Sequence, residues 1–411
     1  MSKIKVDTIA VLDDSSSVPT ATLTALPARM TAAENGKAAK GANADITSLS
    51  ALTTALSIAQ GGTGGITPDA ARSALGVIGR NRIINGSCIV AQRGSAAFGT
   101  GVGGYGGPDR FRAINSGVSG QFTQSQGTIV DGNVTKPAIV QTVDTATSTF
   151  SGVNYWAGVL QVIEGFNCFD LVGSPVAISF VFKTNVTGTF SVAVRDSTST
   201  VSYNTSFAAV ANVPVKVAIN LPSIPVGAVI PASNASGITV AVGAINTGTY
   251  QAVNANVWNT GNYMTVPSSA NWGATIGNYI ALTDLQFEAG TVTPFERRSI
   301  NHEMALCQRY FYRHSNGEPV TMGHYRASTT SASFVWSHPV AMRASPTYSV
   351  SAAAAYNVYG SAGAPLSGSQ SAVTITSNVI RISVNTTAQI SDSPAMLVLA
   401  TSQWHDISAE L

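Results

Sequence analysis

Charged side chains are scarce in this 411-residue sequence: Lys, Arg, Asp and Glu together make up only 10% of it, whereas about 25% is usual for a globular protein. The formal net charge is +2, and the sequence contains no long basic run and no acidic tail. Because nucleic-acid binding depends on clustered cations, we expect no nucleic-acid partner. For the same reason we expect ligand binding to survive high salt.

Cysteine and long apolar runs are also lacking. The three cysteines, Cys88, Cys168 and Cys307, are odd in number and far apart, which argues against a disulfide framework and favours buried thiols. No run approaches the roughly 18 apolar residues of a membrane span, and the N-terminal MSKIKVDTIAVLDDSS lacks the apolar core of a signal peptide. The sequence therefore predicts no membrane insertion and synthesis in a cytoplasm.

Catalytic motifs are incomplete or missing. The run HEMAL begins like a zinc-protease helix but has Leu306 where the second histidine ligand must be. A G-x-G-x-x-G run at residues 99–104 is followed by Pro108 and not by a helix-forming segment, so we interpret it as a flexible loop. All five histidines follow residue 300. We expect no metal and no cofactor, although a metal shared by symmetry-related histidines stays an open alternative.

Two pairs of acidic residues raise the alternative of polysaccharide hydrolysis, because glycosidases use two carboxyl groups about 5–10 Å apart. The pairs are Asp284 with Glu288 and Glu164 with Asp170. On a regular strand, however, residues 284 and 288 would lie about 13 Å apart at ~3.3 Å per residue. Solvated surface carboxylates are the simpler interpretation, so we expect a protein that is not an enzyme.

Short runs of alternating apolar and polar residues recur between residues 81 and 296, separated by Gly, Asn, Asp and Ser. This spacing is typical of an antiparallel β-sandwich. Further short runs follow residue 314 and predict a second, smaller β-domain, so the protein is expected to be mainly β. The strands predicted in the first part are Ile83–Gln92, Gly120–Gln124, Ala138–Val143, Tyr155–Glu164, Ala177–Lys183, Thr189–Arg195, Val215–Asn220, Gly237–Gly243 and Tyr279–Glu288.

Between the two β-rich parts, the apolar period changes from two residues to that of a helix. Ser299 is a good N-cap. After it, Ile300, Met304, Cys307 and Phe311 recur at intervals of four, three and four, which places them on one stripe of a helix. The stripe either packs on its own domain or faces copies of itself around a threefold axis. We favour the second interpretation and predict that these four residues form a trimer interface.

Residues 1–80 contain too little apolar surface for a core of their own. Ile46, Leu49, Leu52 and Leu56 recur at helical spacing and are predicted to join three chains in a short seam. A glycine-rich break follows, and residues 67–76 then have the start and stop signals of a short helix. Because such a segment needs partners to be ordered, we interpret it as a stem and attachment region.

Three stretches of the sequence resemble a known family. Residues 287–313, FEAGTVTPFERRSINHEMALCQRYFYR, resemble the junction found in bacteriophage tail-fibre proteins, where "TPFE-R" leads into "E-x-ALCQRYF". Residues 42–76 are similar to the collar-like motif of such fibres. Residues 334–350, FVWSHPVAMRASPTYSV, are similar to a strand pair of the same proteins.

The resemblance implies an elongated homotrimer that attaches to the phage tail or baseplate through residues 1–80 and reaches the virion after synthesis in the host cytoplasm. It implies a jelly-roll β-domain at residues 81–298, followed by a junction helix and a distal β-domain at residues 299–411. The implied function is recognition of a bacterial surface glycan or protein without turnover. Two alternatives stay open: a capsule or lipopolysaccharide depolymerase, and a structural spacer that carries a separate adhesin.

Two segments rich in aromatic, amide and small residues are predicted to bind the ligand. Aromatic rings stack on the C–H faces of sugars while amides bond the hydroxyls, and antibody loops use a similar composition. The alternative is that the rings fold back and plug their own loops. The predicted ligand-binding residues are Tyr356, Asn357 and Tyr359 in Ala353–Gly368, and Trp258, Asn259 and Tyr263 in Asn256–Tyr263.

Overall fold

The computed structural model describes residues 8–10, 17–19, 62–63, 71, 75, 79–99, 101–116, 120–146, 154–267, 269–315, 319–325, 330–351, 356–360, 365–386, 394–400 and 403–411. The chain divides into two compact units, residues 1–66 and 67–411. In the first unit, β1 (Thr8–Ala10) pairs antiparallel with β2 (Ser17–Pro19). The predicted seam of Ile46, Leu49, Leu52 and Leu56 lies outside the described residues, as does most of the predicted helix over residues 67–76.

A β-sandwich follows in the second unit. Its strands are β3 (Ala96–Phe98), β4 (Gly104–Tyr105), β5 (Arg112–Ser116), β6 (Gln121–Asp131), β7 (Val134–Thr145), β8 (Asn154–Glu164), β9 (Val176–Thr184), β10 (Gly188–Arg195), β11 (Val201–Ala209), β12 (Val215–Leu221), β13 (Ser236–Gly248), β14 (Trp258–Thr260) and β15 (Tyr279–Ala289). One sheet has the order β14-β11-β10-β13-β8-β5-β4, and the other has the order β12-β9-β15-β7-β6-β3. The chain repeatedly crosses between the two sheets, as in a jelly roll. The predicted antiparallel sandwich is therefore confirmed.

The core between the two sheets is apolar and rich in aromatic rings. Phe182 of β9 contacts Phe190 and Phe207 with ring centroids 4.9 Å away in each case. Such tilted and edge-to-face pairs contribute about 0.5–1.5 kcal/mol beyond the burial of their area. Trp272 is completely buried, and its indole N–H donates to the carbonyl oxygen of Gly243 at 2.8 Å. The two sheets are thus held by one continuous core.

Strands β6 and β7 form a long hairpin within the six-stranded sheet, and the tip of this hairpin packs on the outer face of the sheet. Near its tip, Ile129 and Ala138 pack against Val181 of β9 and Ala281 of β15 in a small buried cluster. Val181 and Ala281 alternate with residues of the main core, so they point away from it. The hairpin tip, which carries Asp131, therefore forms a raised edge on this face of the sheet.

Strand β15 contains a β-bulge at Asp284. Its pairing with β9 shifts register between Thr283 and Gln286, and Asp284 has a φ of 51°, a left-handed conformation that is uncommon for residues other than glycine. Because a bulge changes the direction of the side chains around it, Asp284 and Glu288 do not follow the regular strand spacing assumed from the sequence.

Residues 81–95 contain no strand, although the sequence predicts one at Ile83–Gln92. The side chain of Asn85 closes a turn here, because its amide donates to the carbonyl oxygen of Val90 at 2.8 Å and accepts from the Val90 N–H at 3.0 Å. A Cβ atom at Gly86 would lie 2.1 Å from the carbonyl oxygen of Leu285, so only glycine permits this approach to β15. The strand prediction was wrong because polar side chains, not a ladder, satisfy this backbone.

The junction helix α1 (Ile300–Gln308) begins as predicted, since the Ser299 hydroxyl accepts from the backbone N–H of His302 at 3.4 Å. No helix among the described residues is long and apolar enough to cross a membrane. The predicted trimer stripe, however, faces its own domain at Cys307 and Phe311. Cys307 has 0% exposure and packs near Met304, and Phe311 is buried in the following strand and not in the helix. Of the four predicted interface residues, Ile300 is exposed, and the assignment of Cys307 and Phe311 was wrong.

The C-terminal part forms a small barrel beside a three-stranded sheet. Its strands are β16 (Phe311–Ser315), β17 (Pro319–Tyr325), β18 (Ser331–Ser337), β19 (Thr347–Val350), β20 (Tyr356–Tyr359), β21 (Pro365–Ile375), β22 (Val379–Asn385), β23 (Pro394–Leu399) and β24 (Trp404–Ser408). The barrel closes in the order β17-β18-β22-β21-β20-β23, and β16-β24-β19 form the sheet. The predicted mainly-β fold with a small C-terminal β-domain is confirmed.

Candidate functional site

The carboxylate of Glu296 anchors the segment that leads into the sandwich. It accepts backbone N–H bonds from Gly79, Arg80 and Asn81 at 2.8, 2.7 and 3.0 Å, and Nε of Arg298 donates to it at 3.0 Å. Burial alone would raise its pKa, but these donors outweigh burial and hold the pKa of Glu296 below its ordinary value. Glu296 belongs to the "TPFE-R" part of the junction, and these contacts show that its role there is structural.

Glu164, one of the candidate catalytic acids, is 1% exposed and fully engaged. Arg309 donates to it through Nε at 3.2 Å and Nη2 at 2.7 Å, and the hydroxyl of Tyr310 donates at 2.6 Å. These hydrogen bonds raise the pKa of Arg309. The second acid of the pair, Asp170, instead forms an ion pair with Arg82 at 2.6 Å. The interpretation of Glu164 as a solvated surface acid was therefore wrong.

Glu288 and Glu303 are buried as well. Glu288 accepts from the backbone N–H of Thr293 at 2.9 Å and from its hydroxyl at 2.6 Å. Glu303 of α1 accepts a backbone hydrogen bond from Asn85 and lies 3.4 Å from a guanidinium nitrogen of Arg298. Glu288, which the sequence assigned to solvent, and Glu303 therefore hold the junction helix, β15 and the entering segment together.

The described residues of the first predicted ligand-binding segment lie in or directly after the barrel strands β20 and β21. Tyr356 has 0% exposure, and its hydroxyl bonds to Nδ1 of His405 at 2.9 Å and to the hydroxyl of Tyr348. Along β20 the side chains alternate, so Tyr356 points into the barrel while Asn357 is half-buried and Tyr359 is exposed. Tyr356 was wrongly assigned to the ligand, because a period-2 pattern was taken for a loop. Asn357 and Tyr359 stay predictions.

The second predicted segment is engaged with its own chain. Trp258 lies in the edge strand β14, where its ring contacts Tyr203 with centroids 5.4 Å apart and its indole N–H donates to the carbonyl oxygen of Pro222 at 3.1 Å. The amide of Asn259 donates to two backbone carbonyls of the same loop. Tyr263 is half-buried. These contacts favour the alternative in which the rings plug their own loop.

Three of the five histidines meet aromatic rings at the barrel. Nε2 of His405 lies 3.0 Å from Nδ1 of His314, and the ring of Trp336 stacks on His405 with centroids 5.5 Å apart. His338 bonds through Nδ1 to the hydroxyl of Tyr312 at 2.7 Å. Burial, with a smaller contribution from His314, lowers the pKa of His405 to about 3. In the described part of the chain, no group of three or more His, Cys, Asp or Glu side chains is arranged to hold a metal.

A groove of about 350 Å³ lies on the outer face of the six-stranded sheet. The β6–β7 hairpin contributes Lys136 to one side, and the loop after β15 contributes the half-buried ring of Phe295 to the other. This volume is at the lower end of the range for small-molecule sites, about 300–1,000 Å³. The floor consists of small side chains from β9 and β12, namely Ser179, Val181 and Ala218.

Three charged side chains line this groove, namely Lys136, Lys216 and Asp284, and two more, Asp131 and Arg297, are paired with them. Nζ of Lys136 lies 2.8 Å from Asp131 and 2.7 Å from Asp284. Lys216 lies 3.3 Å from Asp131, and Arg297 lies 3.2 Å from Asp284. The hydrogen bond from Lys136 lowers the pKa of Asp131. Burial opposes the charge of Lys136, but its two carboxylate partners outweigh burial and raise its pKa.

Sequence reasoning missed this groove because its residues come from four strands and a loop that are far apart in the chain. One local signal was present. Gly132 and Asn133, with the φ of Gly132 at 62°, form the two-residue turn between β6 and β7, which brings Lys136 back toward Asp131. Because the sequence has few charged residues, the two that flank this turn are a local signal of a charged site. The bulge that directs Asp284 to the same place has no sequence signature.

Comparisons with known proteins give only distant similarities. No family model and no curated protein matches the chain. Among solved structures, the tailspike protein 4 enzymatically active domain of bacteriophage CBA120 is 12% identical over 51% of this chain and 21% of that chain, with a TM-score of 0.27. A CBM4 structure is 10% identical over 50% and 98%, with a TM-score of 0.26. An apo cyclase from Fischerella sp. is 8% identical over 52% and 98%, with a TM-score of 0.28. At these TM-scores, no function is transferred to this chain.

Proposed function

We propose that this chain is a receptor-binding protein of a bacteriophage tail fibre, and that the groove on the six-stranded sheet binds a saccharide of the bacterial surface. The groove carries the proposal. It combines an aromatic ring at Phe295, a floor of small side chains and a charged wall, which match the C–H faces and the hydroxyls of a sugar. The phage assignment rests on the resemblance of the junction and collar-like segments.

The walls of the groove are fixed before any ligand arrives. Asp284 is held in its bulge and bonded to Lys136, while the hairpin tip is fastened to the sheet by the apolar cluster beneath it. The opposite wall is tied down where the N–H of Val292 donates to the side chain of Asn220 at 2.9 Å. A site that is already ordered loses little conformational entropy on binding, which favours recognition of a small ligand.

Binding without bond cleavage is favoured over a depolymerase by the state of the carboxylates. A glycosidase needs one carboxyl group whose pKa is raised so that it can donate a proton near neutral pH. In the groove, Lys136 lowers the pKa of Asp131, and Asp284 accepts from both Lys136 and Arg297. Glu164, outside the groove, is held by Arg309. All three carboxylates accept hydrogen bonds from cationic side chains.

The proposal includes a homotrimer attached to the tail or baseplate through residues 1–80. One shallow groove per chain gives weak binding, and three copies on one stem raise the effective concentration of the second and third sites. Light scattering of the full chain should give three times its mass of 42.2 kDa. The mass of a monomer would contradict the trimer but would not affect the proposal that the groove binds a saccharide.

A glycan array of bacterial capsular and lipopolysaccharide oligosaccharides tests the proposed function. We expect the full chain to bind a subset of these saccharides, the Phe295→Ala variant to lose that binding, and no new reducing ends to form. New reducing ends would establish a depolymerase. Absence of binding to every saccharide would contradict the groove as a glycan site and favour a structural spacer.

A further inference from the structure

We infer that the groove selects saccharides carrying an anionic substituent, a carboxylate or a phosphate, and that Lys216 and Arg297 bind this group. The inference rests on the proposed function and adds the chemical class of the ligand. It starts from a local concentration of charge in a chain that has little. Of the five charged side chains linked at the groove, three are cations and two are anions: Lys136, Lys216, Arg297, Asp131 and Asp284.

The burial of these side chains separates a fixed inner part from a free outer part. The inner residues, Asp131, Lys136 and Asp284, are at most 15% exposed. The outer residues are both cations: Lys216 is 73% exposed and Arg297 is 59% exposed. Exposed ion pairs contribute little to stability. The outer cations can therefore exchange their present partners for an anionic ligand at little cost.

The remaining hydrogen-bond capacity of the groove is mainly cationic. Both oxygens of Asp284 accept from Arg297, and one also accepts from Lys136. One oxygen of Asp131 is shared by Lys136 and Lys216. Arg297, in contrast, makes its contacts with Asp284 through Nη2, so its Nε and Nη1 donors are not used in this pair. Each of these N–H groups can donate a charge-assisted hydrogen bond to a carboxylate or a phosphate.

The guanidinium lies beside the aromatic wall. Its central carbon is 5.4 Å from the ring centroid of Phe295, within the range of a cation–π contact. A sugar ring that stacks on Phe295 would therefore hold a carboxylate or phosphate substituent close to Arg297. An amino sugar would instead meet two exposed cations and carboxylates that are already bonded. The groove thus favours anionic over neutral saccharides and neutral over cationic ones.

Calorimetric titration with a matched set of oligosaccharides tests this inference. The set has one backbone in four forms: neutral, carboxylate-bearing, phosphate-bearing and amino-substituted. We expect at least one anionic form to bind about tenfold more tightly than the neutral form, equivalent to about 1.4 kcal/mol. This advantage should shrink in about 0.5 M salt, because exposed charges are screened. The ratio of the affinities for the carboxylate-bearing and the phosphate-bearing forms shows which of the two groups the cations bind.

Three variants assign the effect to residues. Lys216→Gln and Arg297→Gln should each weaken binding of the anionic form more than binding of the neutral form, so that the ratio of the two affinities falls. Arg381→Gln is the matched control, because Arg381 is an exposed arginine on barrel strand β22. All three side chains are exposed, so the melting temperature should not move. An unreduced advantage in both groove variants would contradict the assignment to these residues.

The failures of the two proposals differ. Equal binding of neutral and anionic forms, with both lost in Phe295→Ala, would overturn the inference and leave the proposed function standing. No binding of any form would overturn both. Tighter binding of the amino-substituted form would show that the carboxylates, and not the cations, select the ligand.

Discussion

The sandwich and the barrel bury polar groups in different ways. In and around the sandwich, carboxylates such as Glu164 and Glu296 are buried with arginines and backbone N–H groups. In the barrel, neutral histidines and tyrosines such as His405 and Tyr356 bond to one another. A buried ion pair is costly to break because one charge is left unpaired, whereas a neutral network is sensitive to protonation. The two regions should therefore fail under different conditions.

The largest effect is expected for the arginine–carboxylate contacts of the sandwich. Glu164→Ala leaves Arg309 and Tyr310 without their buried partner, so we expect a loss of about 3–5 kcal/mol in the free energy of unfolding. Chemical denaturation followed by circular dichroism measures the loss. Asp144→Asn is the control, because Asp144 is an exposed acid of the same sandwich. A loss equal to that of the control would show that Glu164 is not a structural acid.

Acid should destabilise the barrel before the sandwich. The folded pKa of His405 is about 3, below its ordinary 6.5. Between these two pH values, His405 therefore binds a proton in the unfolded state but not in the folded state. The free energy of unfolding falls as the pH falls from 6.5 toward 3. The loss is ~1.4 kcal/mol per pH unit, or about 2 kcal/mol at pH 5. Glu296 has a lowered pKa, so its contribution is present above its ordinary 4.5 and is lost only below it.

Hydrogen exchange at several pH values, corrected for the intrinsic rate, separates the two regions. Between pH 6.5 and 5, peptides of the barrel should lose protection while those of the sandwich keep it. The variant His405→Phe removes the titrating group, so its barrel should lose less protection over the same range. Earlier loss in the sandwich would contradict the assignment of neutral histidines to the barrel.

A smaller effect is expected for the hydroxyl of Tyr356. Tyr356→Phe removes the group that bonds to Tyr348 and His405 while keeping the ring in the core. We expect a loss of about 1–3 kcal/mol from the unpaired partners. The matched control is Tyr359→Phe, since Tyr359 lies on the same strand and is exposed. Equal melting temperatures of the two variants would place Tyr356 outside the buried network.

The smallest effect is expected on the surface of α1. Ile300 is 51% exposed, so Ile300→Ser should change the free energy of unfolding of the isolated chain by no more than about 0.5 kcal/mol. Cys307→Ser places a hydroxyl in the apolar cluster with Ile84 and Val90 and should cost about 1–3 kcal/mol. Denaturation of both variants compares the two sides of the helix. If Ile300→Ser instead dissociates an oligomer in light scattering, the exposed side of α1 is an interface.

Local periodicity predicted much of the fold but could not say which face a residue occupies. The alternation in residues 177–183 identified β9, and Ser299 correctly marked the start of α1. The helical period was extended to Phe311, however, although the aromatic run after Gln308 forms a strand. Tyr356 was assigned to a loop because small residues surround it. Both errors concern long-range packing, which decides whether a ring is core or surface.

Predicting the groove would have required contacts between residues that are still farther apart in the chain. Its charged wall joins a hairpin tip, an edge strand and a bulge, and the φ of 51° at Asp284 has no counterpart in the local sequence pattern. Overall composition does not locate such a site. A low average charge predicts salt-independent binding, whereas five of these few charges meet at one groove. Composition therefore describes the average surface and not a particular site.

We propose that the ligand binds to the sandwich and not to the barrel. The most direct test is calorimetric titration of one bound bacterial oligosaccharide with Phe295→Ala and with Tyr359→Ala. Both rings are at least partly accessible, so neither change should prevent folding. The account predicts that Phe295→Ala weakens binding about tenfold or more, about 1.4 kcal/mol, while Tyr359→Ala leaves the affinity unchanged. Loss of binding in Tyr359→Ala with normal binding in Phe295→Ala would contradict it.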